Sequence, residues 1–151
     1  MLPPTEGPDM TQSDVGDAGD VFWNDLAEDL KDPDFLRAFI IETLRIAAVD
    51  RIVNELDEAR TAAGLSKAAL SRASGTAPQT VRRLLTTTQG SNPTLGTVAE
   101  LAAPLGLRLT LEPIPEDEHA HTVEPLLSGM HGDIKALTDW LRVKRQDIAV
   151  A

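Results

Sequence analysis

Leu65-Ser66-Lys67-Ala68-Ala69-Leu70-Ser71-Arg72-Ala73-Ser74-Gly75-Thr76-Ala77-Pro78-Gln79-Thr80-Val81-Arg82-Arg83-Leu84-Leu85 reads as two short helices around a glycine turn. Ser66 offers an oxygen to the orphan amides that open the first helix, which runs through Ala73. Gly75 supplies a left-handed turn residue at low cost, and Pro78 pre-sets the dihedral that starts the second helix. On that second helix Val81, Leu84 and Leu85 fall on one side and Gln79, Thr80, Arg82 and Arg83 on the other. The polar set is free for work other than packing.

The same stretch lies in an acid-free window. From Ala59 to Ala99 there are five bases (Arg60, Lys67, Arg72, Arg82, Arg83) and no Asp or Glu. Residues 1–58 hold 15 acids and 4 bases, and residues 100–151 hold 9 and 5, so the formal charge of −10 conceals a middle of +5. Exposed charges act mainly within about 10 Å at ordinary salt, so a local positive face can dock on a polyanion despite the acidic bulk. The acidic flanks either weaken non-specific attraction to nucleic acid or serve a basic partner.

Working outward, residues 1–20 contain three Pro, three Gly and scattered acids with little to bury, and read as a disordered acidic tail. Residues 21–63 read as an amino-terminal helical region. Asp32-Pro33-Asp34 is a helix-start signal, and Leu36, Phe39, Ile40, Leu44, Ala47, Ala48, Ile52, Leu56 and Ala59 recur at helical spacing up to Gly64. This is one long helix, or two broken near Val49-Asp50. Residues 64–112 form the central module. After the two short helices, a helix from Thr94 carries Leu95, Val98, Leu101, Ala102 and Leu105 on one face, and Gly106 ends it. Leu107, Leu109 and Leu111 then alternate with Arg108, Thr110 and Glu112, which predicts one short strand over 107–112, stopped by Pro113. A single strand needs a partner from the amino-terminal part or from a second subunit, one reason to expect a homodimer. Residues 113–121 read as a linker and 122–151 as a carboxy-terminal helical segment around Val123, Leu126, Leu127, Ile134, Leu137, Trp140 and Leu141. The fold class is therefore mainly α, with a helical bundle at its centre.

With 42% hydrophobic residues the 151-residue chain has enough for a core, either one soluble domain with appendages or two small modules. The lack of cysteine excludes disulfides, thiolate zinc sites and cysteine nucleophiles. No stretch approaches the roughly 18 apolar residues of a membrane span, and the amino terminus has no basic n-region or apolar h-region. A cytoplasmic protein with no membrane partner is the expectation. His119, His121 and His131 lie near Glu116, Asp117 and Glu118, but a linker gives them no fixed geometry, so solvent exposure and no metal are expected. Trp23 and Trp140 read as hydrophobic anchors of the two flanks. No phosphate-binding glycine loop or nucleophile motif is present. The chain is not expected to be an enzyme or to carry a cofactor.

The segment Ser66 to Leu85 resembles the helix-turn-helix of the XRE, or lambda-repressor-like, family. That pattern sets a small residue after a leucine, then three free positions, then glycine, here Leu70-Ser71, Arg72-Ala73-Ser74 and Gly75. Ala69 and Ala73 are the small residues expected to let the two helices approach. Asn92-Pro93-Thr94-Leu95-Gly96-Thr97-Val98-Ala99-Glu100-Leu101-Ala102 with Gly106-Leu107-Arg108-Leu109 resembles the next helix and strand of the HigA-like antitoxin branch, so that the likeness covers about residues 36–112. The chain departs from the pattern at Lys67, where glutamine is most common, at Ala77, where a Ser or Thr N-cap is usual, and at Leu85, where glutamate is common. Thr76 is a candidate substitute cap.

The resemblance implies a transcriptional repressor that binds double-stranded operator DNA as a homodimer, autoregulates its operon and neutralises a basic RNase-type toxin. A stand-alone XRE-type regulator, with a ligand-sensing or dimerising carboxy-terminal segment, is the alternative. In the family's docking geometry the helix from Pro78 enters the major groove, which makes Gln79, Thr80, Arg82 and Arg83 candidate base contacts. Ser66, Lys67, Thr87, Thr88, Ser91 and Asn92 are candidate phosphate contacts. Arg82 and Arg83 serve bases or phosphates equally well, and a merely solvated face is the bland reading for both.

Overall fold

Asp32 decides where the architecture begins. In the computed structural model, which describes residues 14–86 and 92–150, its side chain accepts the Asp34 N–H at 3.0 Å and Pro33 occupies the first helical turn. From there one helix, α2 (Pro33–Ala62), runs for 30 residues, or about 45 Å at 1.5 Å per residue. The break considered near Val49-Asp50 does not occur. The helix ends where Leu65 N–H reaches back to Arg60 O at 3.1 Å and Gly64 N–H to Thr61 O at 3.0 Å.

The remaining helices are α1 (Asp14–Asp29), α3 (Lys67–Ser74), α4 (Pro78–Thr86), α5 (Leu95–Ala102), α6 (Val123–Ser128) and α7 (Ile134–Val150), with 3-10 turns at Ala103–Leu105 and Glu116–His121. They group around α2 as two cores. One joins Leu56 of α2 to Leu70, Val81, Leu84, Val98, Leu101 and Ala102. The other joins Leu36 and Ile40 of α2 to Leu26, Leu30, Leu137 and Leu141, with Trp23 and Trp140 packed against it as the anchors expected of them.

These two cores use different faces of one helix. At about 100° per residue, Leu36, Ile40 and Thr43 cluster within roughly 60°, whereas Ile52 and Leu56 point about 150–200° away. The first module thus lies on nearly the opposite side of α2 from the second. At the edge of the second core, the Arg145 guanidinium lies 4.5 Å from the centroid of the Phe39 ring and donates to the buried Thr43 hydroxyl at 3.3 Å, tying α7 to the first half of α2. Arg37 fixes α6 by donating to the Leu126 carbonyl at 3.0 Å, an orphan acceptor at that helix's end. Gly129 follows at φ 77°, where a Cβ would stand 3.0 Å from both Pro33 and Arg37 atoms.

Three expectations are corrected. The strand over 107–112 is absent: there is no strand among the described residues, and without one to pair with, the leucine alternation leaves residues 107–115 irregular and exposed. The tail expected over 1–20 gives way to helix at Asp14, in a run anchored by Leu26 near its end and by Leu30 just after it, both buried in the second core; residues 1–13 lie outside the described residues. In the linker expected over 113–121, the six residues Glu116–His121 form a 3-10 turn, and His121 is half-buried there.

His121 Nδ1 lies 3.0 Å from His131 Nε2, and the His121 ring also stacks on Trp140 at 5.5 Å. His131 Nδ1 accepts the Asp133 N–H at 2.9 Å, so its own proton sits on Nε2 and is donated to His121. Burial, and secondarily the neighbouring His121, push the His131 pKa below the ordinary histidine value. A group whose folded pKa is lowered contributes stability above the unfolded value, and that contribution is lost as pH falls through the folded value. Thermal unfolding should therefore show a melting temperature that drops as pH falls below about 6.5, and His131→Gln should flatten that drop; an unchanged slope would contradict the assignment.

Candidate nucleic-acid interface

Ser66 opens α3 by accepting the Ala69 N–H at 3.0 Å, and Gly75 closes it at φ 71°. The turn between α3 and α4 is then fastened by serines. Buried Ser71 donates its hydroxyl to Thr76 O at 2.6 Å, and Ser74 Oγ accepts the Thr76 N–H at 3.2 Å. Leu70 and Ser71 are the buried residues of α3, whereas Ala73, expected to permit close approach, is exposed. Thr76 does not replace the missing cap of α4: its Oγ1 is buried and makes no hydrogen bond among the described residues, while Ala77 supplies only its carbonyl, to Val81 N–H at 3.1 Å.

On α4, Val81 and Leu84 are buried and Leu85 is half-buried, while Gln79, Thr80, Arg82 and Arg83 are exposed. At about 100° per residue the four polar residues span roughly 160° opposite the buried stripe. The structure thus brings all four candidate base-contacting residues onto one solvent-facing surface of a single two-turn helix. The candidate phosphate contacts are more scattered. Lys67 is half-buried in the first turn of α3, Asn92 is exposed ahead of α5, and Ser66 keeps its hydroxyl proton to donate. Thr87, Thr88 and Ser91 lie outside the described residues.

The five bases of the acid-free window divide into one structural and four available. Arg60 Nη2 pairs with Asp57 at 2.9 Å and Nη1 donates to Leu65 O at 2.8 Å, so it binds the end of α2 to the turn that follows. Lys67, Arg72, Arg82 and Arg83 have no ion-pair partner among the described residues. Arg72 is exposed on α3 and was not among the sequence candidates, although the acid-free window already contained it. Elsewhere most arginines of α2 are neutralised locally, as in Arg45 with Glu42 at 2.6 Å and Arg51 with Glu55 at 3.2 Å.

Residues 56–111 match the family model described as helix-turn-helix, an XRE-like domain. The matched segment begins at Leu56, within the second half of α2, and ends at Leu111. No curated protein and no solved structure matches the chain. No helix among the described residues is long and apolar enough to cross a membrane.

The serine fastening has a measurable consequence. Ser71→Ala leaves the Thr76 carbonyl buried without its donor and should cost about 1–3 kcal/mol, whereas Thr76→Val deletes an unpartnered buried hydroxyl at equal volume and should gain about 1 kcal/mol. Chemical unfolding of the two variants checks the pair; equal signs would show that the turn is not held in this way.

Proposed function

We propose that the protein is a sequence-specific repressor that binds operator DNA as a homodimer through α4, and that it acts by binding rather than by catalysis. One observation carries this reading: Gln79, Thr80, Arg82 and Arg83 share an exposed face, with neither arginine in an ion pair among the described residues, inside a segment that matches the helix-turn-helix model. In the major groove Gln79 has the donor and acceptor needed for adenine, and Arg82 or Arg83 has the fork for guanine O6 and N7. Thr80 serves a base edge or a thymine methyl. Lys67, Ser66 and Asn92, with Thr87, Thr88 and Ser91, then contact phosphates and set the register. Four available cations per subunit make a single module a weak binder, which favours two modules on a palindromic site.

We further propose that the protein is the antitoxin of a type II toxin–antitoxin pair. Support comes from charge and from layout. The acids of residues 1–58 belong mostly to α1 and to the side of the chain built on the Leu36 and Ile40 core, where Asp25, Glu28, Asp29 and Asp34 are exposed, so a basic RNase-type toxin and DNA can be held on different faces. A stand-alone ligand-responsive regulator has one observation in its favour. A groove of about 530 Å³ between α1 and α7 is lined by Trp23, Glu28, Lys31, Thr138 and Arg142 among others, a mix suited to a small polar ligand.

Binding to the region upstream of the gene, followed by fluorescence anisotropy, checks the DNA reading. Arg82→Ala with Arg83→Ala should abolish it; Gln79→Ala should lose about 1–3 kcal/mol of discrimination at one base pair; Lys67→Ala should weaken all sequences alike and lower the salt slope by about one. A double variant that binds like the wild type sinks the reading. Co-expression with the neighbouring gene separates the two regulators: a toxic product that co-purifies with this chain supports the antitoxin, and a harmless one removes it.

A further inference from the structure

Two histidines that neither the DNA reading nor the toxin reading uses are bonded into one chain of groups. His131 Nδ1 accepts the Asp133 N–H at 2.9 Å, and its Nε2 lies 3.0 Å from His121 Nδ1. The two ring planes are 7° from parallel and their centroids 5.1 Å apart, so with the nitrogens this close the rings meet edge to edge and not face to face. His121 in turn lies against Trp140 of α7, the ring centroids 5.5 Å apart. Asp133 is itself the start of α7: its Oδ1 accepts the Ala136 N–H at 3.1 Å and its carbonyl accepts the Leu137 N–H at 3.1 Å. The chain of groups thus runs from the N-cap of α7 to the last residue of the 3-10 turn Glu116–His121.

We propose that this arrangement is an acid-sensitive clasp, closed while both imidazoles are neutral and opened when they take up protons. A neutral imidazole has one donor and one acceptor nitrogen. With Nδ1 accepting the Asp133 N–H, His131 has a single arrangement, its proton on Nε2 and directed at the bare Nδ1 of His121. An added proton finds no free place in it. On His131 Nδ1 it faces the Asp133 N–H, and on His121 Nδ1 it faces the His131 N–H. The first proton therefore breaks one of the two bonds, and the second sets two cations edge to edge. The surrounding charges do not cancel this cost. Burial, and then His121, hold the His131 pKa below the ordinary value against Asp133 and Glu124 of α6, which raise it. Glu118 of the turn is engaged with Lys144 of α7 at 3.2 Å, and that ammonium also stands 5.5 Å from the centroid of the Trp140 ring.

The clasp holds the second of two connections between the modules. The first is α2, and the second is the chain from Gly106 to Thr122, which has neither helix nor strand between residues 107 and 115. Among the described residues, the polar and ring contacts that bind its 3-10 turn to α7 and to the loop before it are the histidine pair with Trp140 and the Glu118–Lys144 ion pair. Opening the clasp leaves the ion pair alone, and such pairs contribute little. The turn then detaches while both cores, which contain no histidine, stay closed. Nothing in this step requires DNA or a toxin.

Nuclear magnetic resonance of the full chain between pH 8 and pH 5 tests it. At pH 8 the ring nitrogens of His131 should show the proton on Nε2, and the ring should titrate with a midpoint below about 6.5. The amides of residues 116–122 and of Asp133 should shift with that same midpoint, while those of Val81 and Leu101 in the other core should not. In a Trp23→Phe background the emission of Trp140 should move to the red in step. His131→Gln, whose amide both donates and accepts but takes up no proton, should abolish the shifts at 116–122 and the change at Trp140. A His131 proton on Nδ1 at pH 8, or a midpoint at or above the ordinary value, overturns the proposal. So do amides of the 3-10 turn that stay fixed while His131 titrates, shifts that persist in His131→Gln, or one transition shared by every amide, which is global unfolding. The wild-type titration decides the matter by itself should the variant fail to fold.

Discussion

Everything in this structure depends on α2 being continuous. A helix broken at Val49-Asp50 would have left two independent modules joined by a hinge. The 30-residue helix instead carries one buried stripe near Leu36 and Ile40 and another, on nearly the opposite side, near Ile52 and Leu56. Each stripe is covered by helices that cannot bury their own apolar faces without it: α1 and α7 on the first, α3, α4 and α5 on the second. The bond and ring contact from Arg145 of α7 to Thr43 and Phe39 reinforce the first of these contacts, in the half of the helix where Phe39 and Leu44 pack against the core. Orientation of the α4 face relative to the acidic module is thereby set by helix geometry and not by a linker.

Charge follows the same division. Acids and bases along α2 pair with each other at helical spacing, Arg45 with Glu42 and Arg51 with Glu55, and such exposed pairs contribute little to stability. Glu42 is held below the usual carboxylate range by its hydrogen bond from Arg45. In the second module the pattern changes. Arg60 is engaged at the end of α2, and Lys67, Arg72, Arg82 and Arg83 have no ion-pair partner among the described residues, so their charge is projected outward. A chain of net charge −10 can in this way present a positive surface of limited size.

The turn shows how a missing signal is offset. Ala77 lacks the side-chain cap usual at its position, and Thr76 buries a hydroxyl with no hydrogen-bond partner among the described residues. Two serines of α3 take up the task from the other side, holding Thr76 by its carbonyl and its N–H. Small polar residues in the sequence at 71 and 74 are compatible with many roles. Only the returning chain brings Thr76 within reach of them.

Local signals were therefore sufficient for much of this protein. Asp32-Pro33 determined the start of α2, Ser66 and Gly75 the ends of α3, Thr94 the start of α5, and the alternation of apolar and polar residues on α4 determined which side chains face water. Each of these is a property of a few neighbouring residues. The tertiary structure decided what neighbours cannot: that α2 does not break, that α1 begins at Asp14 because Leu26 and Leu30 find a core, that Leu95 on the apolar face of α5 stays 76% exposed, and that His121 meets His131. It also decided that the leucine alternation after Gly106 forms no strand within one chain. A helix closes its hydrogen bonds within itself, so its signals are local, whereas a strand exists only when a second segment supplies the other half of every bond.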